Sequence, residues 1–526
     1  MAVIWRRWPV LALAPVLLLV LYHLAARDDR GHSTVTKYMP LPRPLAHPQS
    51  VWGSGIGPLP FDPKQHHVLI ATRPTWHEEV WLWTAGMLTE LGVNHTVFTE
   101  CDGRAANNSC IRYGLRELSE EVGLWKGDIH YKSELFAAVN TPLPNGHYAD
   151  TIFLATEKDD LEWATDRLLD LWHARPDGHK FRVVGVYHEP TGDTDEYAER
   201  WGLSGALSFL TLSPHVQTHL EQRLRTKAAS EEASWRGIEN IPVRTIVPWF
   251  PADDAHLYPD TPAGAVEGAQ RAAHSVPSRA CINGMISPDR RAYGREFQRL
   301  EWWLERDPGL WGYRKLANGF FTPIAPNDPN TFKLLILGQR DTGYELPDPG
   351  VVAAAVDFVH DYDQHELYGH MAGVDMLLLA WNRAYRYLDS QASSSAFTTL
   401  ETEVPLVVTD IITHAYDFLD DSVSIVRPNA LPEIDVIGLF RLFPNATHPQ
   451  VTHEELTRRV AHIYPPPYRP ELHEQIATML KAGWRRPRDN WKKKKADLKK
   501  RNLGVLRDVL SSPINQWDPD WQGGRE

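Results

Sequence analysis

The feature that most constrains this chain is an alternation of short apolar runs with longer stretches of helical spacing. HVLIAT (67–72) has the length and character of a buried strand. From His77 to Leu91 the apolar residues Val80, Trp81, Met87, Leu88 and Leu91 form a helical stripe. Gly92 stops that helix, and VNHTVFT (93–99) returns as a strand. Strand, helix and strand in this order make a βαβ unit, and such units build parallel sheets. TIFLA (151–155), RVVGVY (182–187), ALSFLTL (206–212) and VRTIV (243–247) continue the pattern. Pro248, Pro251, Pro259, Pro262 and Pro277 then mark a linker over 248–279. Beyond it, ACINGM (280–285), KLLILG (333–338), AVDFV (355–359), VDMLLL (374–379), PLVVT (405–409) and SVSIV (422–426) read as strands, with a helix from Arg290 to Glu305. Two such blocks predict an α/β chain of two Rossmann-like, doubly wound domains, 66–247 and 280–450, facing across a cleft. Residues 451–526 follow as C-terminal helices and a tail. From Lys481 to Arg501 this segment carries 11 basic and two acidic residues, a solvated helix face or a contact for an anionic lipid or polysaccharide.

The N-terminus sets an expectation of compartment. Residues 1–8 are short and basic, with Arg6 and Arg7, and an apolar run follows from Pro9. Residues 9–26 just reach across a bilayer and read as a signal anchor. The same order of basic, apolar and small residues fits a signal peptide cleaved after Leu24-Ala25-Ala26. Residues 27–65 are rich in proline and read as a stem. Positive charge on the short N-terminal side predicts a single-pass type II protein with its bulk lumenal. Asn94, Asn107 and Asn445 are sequons, close to the chance number, and Cys101 and Cys110 are spaced to bridge a loop, leaving Cys281 odd.

Composition removes other classes. With 55 basic and 67 acidic side chains the formal charge is −12, which argues against a nucleic-acid partner. Three cysteines exclude a disulfide-built scaffold and an all-cysteine zinc site. The 20 tryptophans suit either aromatic core packing or stacking on flat, hydroxylated ligands.

Two Rossmann-like domains behind an anchor and a stem resemble the GT-B glycosyltransferases of the secretory pathway, over roughly residues 66–450. In ACINGMISPDRR (280–291) the resemblance implies that Gly284 lets a diphosphate approach the backbone, with Arg290 or Arg291 as its cation. KLLILG with Gly338 is similar to the strand and turn beneath the nucleotide. SSSAFTTLETEVPLVVTD (393–410) resembles the donor-sugar segment, with Ser394, Ser395, Thr398 and Glu401 as donor-binding candidates and a helix N-terminus facing the phosphates. Retaining members carry two glutamates eight positions apart before the proline. Counting back from Pro405 gives Thr398 and Ser390 instead, so the stereochemistry stays open.

In the first, acceptor-side domain the catalytic candidates follow strands. His77 lies past HVLIAT, beside Glu78 and Glu79, and His188 and Glu189 follow RVVGVY. An imidazole there can take a proton from an acceptor hydroxyl, and the His188–Glu189 pair is slightly preferred to His77. Three Asp-x-Asp triplets, the chance number, carry no metal signal, and no cofactor or required metal is expected. The expectation is a lumenal Golgi or ER glycosyltransferase moving sugar from a sugar nucleotide to a glycan or glycoprotein hydroxyl. A non-catalytic binding protein of the same fold, and another lumenal α/β enzyme such as a hydrolase or pyruvyl transferase, are the alternatives.

Overall fold

The computed structural model describes residues 61–512, apart from 74–76, 101–113, 189–192, 231–234, 252–275, 341–342, 361–363, 383–384 and residues 203, 236 and 466. The anchor 9–26, Cys101, Cys110, Asn107 and Glu189 lie outside the described residues. Among the described residues no helix is long and apolar enough to cross a membrane.

A first sheet of seven parallel strands holds β1 (His67–Thr72), β2 (Asn94–Thr99), β3 (Ile129–Tyr131), β4 (Thr151–Leu154), β5 (Arg182–Tyr187), β6 (Leu207–Thr211) and β7 (Val243–Thr245). Their spatial order is β3-β2-β1-β4-β5-β6-β7. In chain order come next β8 (Arg279–Asn283), a small antiparallel hairpin of β9 (Tyr313–Lys315) and β10 (Phe321–Pro323), β11 (Lys333–Leu337), β12 (Val356–Val359), β13 (Met376–Leu378), β14 (Leu406–Val408) and β15 (Ser424–Val426). Leaving out the hairpin, these form a second parallel sheet in the order β12-β11-β8-β13-β14-β15. In each sheet the first strand sits between the second and the fourth β-strand of the doubly wound order. The connections therefore reverse direction beside β1 and beside β8, and each reversal opens a crevice at the strand carboxyl ends.

The helices of the first half are α1 (Glu78–Leu91), α2 (Leu115–Glu121), α3 (Leu135–Asn140), α4 (Glu157–Ala174), α5 (Asp193–Gly202) and α6 (Pro214–Ala228). Those of the second are α7 (Tyr293–Arg306), α8 (Gln364–Ala372), α9 (Ser394–Thr402), α10 (Asp410–Ala415) and α11 (Glu433–Leu442), followed by α12 (His453–Ile463), α13 (Pro470–Ala482) and α14 (Arg488–Ser511). Helices on both faces bury the central strands completely, and β4, β5 and β6 expose no residue. That is why these strands read as unbroken apolar runs rather than alternating ones.

The two halves share a core. Val68 and Val184 of the first sheet belong to one apolar cluster with Phe250, Leu337, Tyr416, Trp491 and Leu510. The helix α14 holds it closed. Trp491, Leu498, Asn502, Leu506, Val509 and Leu510 form its buried stripe. The Asn502 amide accepts from the Val247 N–H at 3.1 Å and donates to the Val247 carbonyl at 2.8 Å. The Arg182 guanidinium donates to the Val509 carbonyl at 2.5 Å and to those of Leu510 and Ser512. Much of the basic run finds carboxylates within the chain. Lys495 meets Glu403 at 2.8 Å, Arg501 meets Asp417 at 2.7 Å, Lys499 meets Glu90 at 2.6 Å, and Lys494 pairs with Asp420. These four cations have carboxylate partners within the chain, whereas Lys492, Lys493 and Lys500 are exposed.

Candidate active site

At the first reversal, β1 and β4 end beside each other. His77 caps the start of α1 in the left-handed backbone region, φ 65° and ψ 31°, an uncommon place for a residue that is not glycine. Its Nδ1 lies 3.4 Å from Glu79 Oε1, within reach of a weak charge-assisted hydrogen bond. His188, the residue after β5, places Nε2 2.8 Å from the Ala155 carbonyl. A carbonyl only accepts, so His188 Nε2 carries the hydrogen and Nδ1 keeps its lone pair. The two imidazoles stack with centroids 4.0 Å apart. Burial first, and the His77 ring second, hold His188 well below the ordinary histidine range, so it is neutral at physiological pH. The His77 hydrogen bond and charge outweigh burial at Glu79 and hold its carboxyl below the usual carboxylate range. Glu78 is different. It is buried with Oε2 unpartnered, and burial, then Glu79, then Glu117 push it up to about 8.

At the second reversal, Gly284 ends β8 with φ 118°, a conformation open to glycine. A Cβ there would stand 2.6 Å from Arg291 Nη2 and 2.8 Å from Ser395 Oγ. Gly338, at the end of β11, lies so close that a Cβ on it would overlap the Gly284 carbonyl. Arg291 departs from expectation. It is buried, and its guanidinium donates to the Leu379 carbonyl at 2.5 Å, the Asn283 carbonyl at 2.8 Å and Ser395 Oγ at 2.6 Å. It braces the crevice from beneath instead of presenting a fork to a phosphate. Ser395 Oγ in turn donates to the Asn283 carbonyl at 2.8 Å. Arg290 is half-buried, its guanidinium over the Tyr385 ring at 5.4 Å. Ser394, the first residue of α9, is exposed, and Thr398 Oγ1 accepts from Asn283 Nδ2 at 3.2 Å.

Glu401 also departs from expectation. Its carboxyl is buried at the back of α9, where Oε1 accepts from the Phe250 N–H at 3.1 Å and the Tyr368 hydroxyl bonds to it. It ties the segment after β7 to α9 and is not at the donor crevice. Burial, with the Glu79 charge adding, pushes it up to about 7.

The two crevices adjoin. The Ala392 N–H meets the His188 carbonyl at 3.4 Å, two residues before α9 begins. His215 on α6 lays its ring nitrogens against the Ala415 and Gln391 carbonyls at 2.8 and 3.2 Å. The imidazole stack of the first half and the N-terminus of α9 in the second are therefore neighbours across the cleft. Sequence reasoning missed three buried, unpartnered polar atoms around the second reversal, Asn283 Oδ1, Arg291 Nε and Trp381 Nε1. Nothing in the residue pattern marks them. Asn94 and Asn445 are exposed, and Cys281 is buried and free. Among the described residues no three His, Cys, Asp or Glu side chains are grouped to hold a metal ion.

No protein-family model matches this sequence, and no curated protein sequence matches it. Solved structures similar to it include the Anabaena protein Alr3699/HepE in complex with UDP and glucose, at 11% identity, 84% of this chain, 99% of that one and a TM-score of 0.42. An α,α-trehalose 6-phosphate synthase from Burkholderia multivorans is 12% identical over 85% of this chain and 96% of its own, at 0.43. WaaG, a glycosyltransferase involved in lipopolysaccharide biosynthesis, is 12% identical over 85% and 100%, at 0.38. At such identities and scores the likeness carries no chemistry, and the fold class stands on the two strand orders themselves.

Proposed function

We propose that this protein is a glycosyltransferase that moves a sugar from a nucleoside-diphosphate sugar to a hydroxyl of a glycan or glycoprotein. One observation carries the reading. The hydrogen bond from Ala392 to His188 sets an imidazole–carboxylate pair, His77 and Glu79, beside the N-terminus of α9 and the Gly284 turn. An acceptor hydroxyl needs a base on one side, and a departing diphosphate needs positive potential on the other.

In this reading Glu79 accepts from His77 Nδ1–H, which leaves Nε2 to receive the acceptor proton. The acceptor oxygen forms its bond to the anomeric carbon while the carbon–oxygen bond to the diphosphate breaks. The nucleoside diphosphate leaves with the electron pair, towards the free N–H groups of α9 and the Arg290 guanidinium. A single displacement of this kind inverts the anomeric centre, and it needs no metal ion. In this reading His77, with Glu79 beside it, takes the place of the His188–Glu189 pair as the preferred base, because the half-buried His188 is held well below the ordinary histidine range and is the weaker proton acceptor. The compartment stays part of the proposal: residues 9–26 tether the chain in the Golgi or ER membrane with the catalytic part lumenal, supported by the charge pattern of the N-terminus.

The test is a screen of sugar nucleotides with the purified full-length chain, following release of nucleoside diphosphate with and without EDTA. Turnover that survives EDTA supports the reading, and no turnover with any donor sinks it. The inward-facing Arg291 favours a second reading, a binding protein of the same fold; donor binding without turnover is its signature.

A further inference from the structure

The first sheet carries a second arrangement at its carboxyl edge. Strands β3, β2 and β1 are adjacent and parallel, with Thr72 in register with Thr99 and Thr99 with Tyr131. The first residue beyond each strand is charged, Arg73 after β1, Glu100 after β2 and Lys132 after β3. At a strand spacing of about 4.8 Å these three stand in a row, alternating in sign. Glu100 pairs with Lys132. Burial, then the Arg73 charge, hold the Lys132 ammonium below its usual range. Arg73 Nη1 lies 3.7 Å from Glu162 Oε2, and the next residue, Trp163, is half-buried with its ring 5.9 Å from Lys132 Nζ. The row is also fixed in place: the buried Asp160 carboxyl, pushed up to about 8 by burial, accepts from the Arg73 N–H at 2.5 Å and the Thr156 N–H at 2.8 Å, joining the loops after β1 and β4.

We infer that Arg73, Glu100, Lys132 and Trp163 form an acceptor subsite for a neutral saccharide bearing vicinal hydroxyls. The inference rests on the transferase reading above and names the substrate class of its acceptor side. A sugar hydroxyl both donates and accepts, so a carboxylate flanked by cations can take a pair of neighbouring hydroxyls with each group used in its own sense. The half-buried Trp163 ring, with Lys132 Nζ 5.9 Å over it and Phe136 packed edge-on at 5.2 Å, borders the row as an apolar wall for the C–H side of a pyranose. An anionic acceptor fits less well. Glu100 and Glu162 already balance Lys132 and Arg73, so the row has little net field to attract a carboxylate or phosphate. His77 follows Arg73 by four residues in the chain.

The experiment is saturation-transfer NMR on the full-length chain. The probes are methyl β-D-glucopyranoside, methyl α-D-mannopyranoside and methyl β-D-galactopyranoside, with glucose 6-phosphate and glucuronate as anionic comparators. At least one neutral glycoside should receive saturation, and Trp163→Ala should lower it about fivefold, the size of one lost aromatic face. Lys132→Met combined with Glu100→Gln should lower it similarly while circular dichroism stays unchanged. Undiminished signals in both variants, no neutral glycoside bound, or stronger transfer to the anionic sugars would overturn the inference. UDP binding, measured on the same samples, should be untouched by these substitutions. If glycosides bind but no sugar nucleotide does, the transferase reading fails and the subsite stands.

Discussion

His77 and His188 stack ring on ring, with centroids 4.0 Å apart and planes 27° from parallel, although 111 positions separate them in the chain. The relationship divides their roles. The Ala155 carbonyl fixes the His188 tautomer and burial keeps it uncharged, so it is a neutral platform. His77 can then gain a proton without a second imidazolium against its face.

Replacing His77 by alanine should lower turnover by about 10²–10⁴-fold with donor affinity unchanged, the range for loss of a general base. Glu79→Gln should fall between that variant and the wild type, since it keeps the position and loses the charge. Single-turnover rates with a saturating donor measure this; a near wild-type rate in His77→Ala would remove it as base.

The two arginines should separate cleanly. Arg290→Ala should weaken donor binding by about 1.5–3 kcal/mol with little change in melting temperature. Arg291→Ala removes the guanidinium's donation to the Leu379 carbonyl, leaves the Asn283 carbonyl with Ser395 Oγ alone, and should destabilise the fold by about 2–4 kcal/mol. Titration calorimetry beside thermal melts reads both, and equal stability of the two variants would contradict the bracing role.

Gly284→Ala should also be costly. A side chain at φ 118° is strained, and its Cβ would press on Arg291 and Ser395. A loss of about 1–3 kcal/mol is expected from the backbone alone, measurable in urea unfolding. An unchanged midpoint would mean that the turn relaxes freely.

Glu401 gives a pH prediction. Its folded-state pKa is raised to about 7 from 4.5, so the folded chain keeps a proton that the unfolded chain releases between those values. Stability from this group therefore falls as pH rises from about 4.5 through about 7, and stays at the lower level above. Glu401→Gln can keep both hydrogen bonds without the charge. The variant should match the wild type at pH 5 and melt higher at pH 8; the same offset at both would show that the carboxyl does not titrate there.

The sheets were legible because buried strands must be apolar throughout and helices must show a stripe. All twelve strands expected from the sequence exist, most shortened by a residue or two at their ends. The strand β3, Ile129–Tyr131, and the hairpin of β9 and β10 escaped because three residues carry too little pattern to tell from a loop. In the site, glycines and strand-end histidines could be found because their reasons are local. The inward turn of Arg291 and the burial of Glu401 could not. Each is decided by partners about 90 to 150 positions away, Leu379, Ser395 and Phe250, which no spacing rule brings together.

The terminal helix α14 has a consequence for how the chain is made. Arg182, inside the first sheet, finds the Leu510 carbonyl only 328 residues later. At roughly 5–20 residues per second of synthesis, that interval is about 20 to 60 seconds. For all of it the first half must hold a largely buried guanidinium and the apolar groove that Trp491 to Leu510 will fill without their partners. The last turns of α14 therefore complete the half of the molecule that was made first, and a ribosome that stalls late releases a product whose oldest domain is the unfinished one.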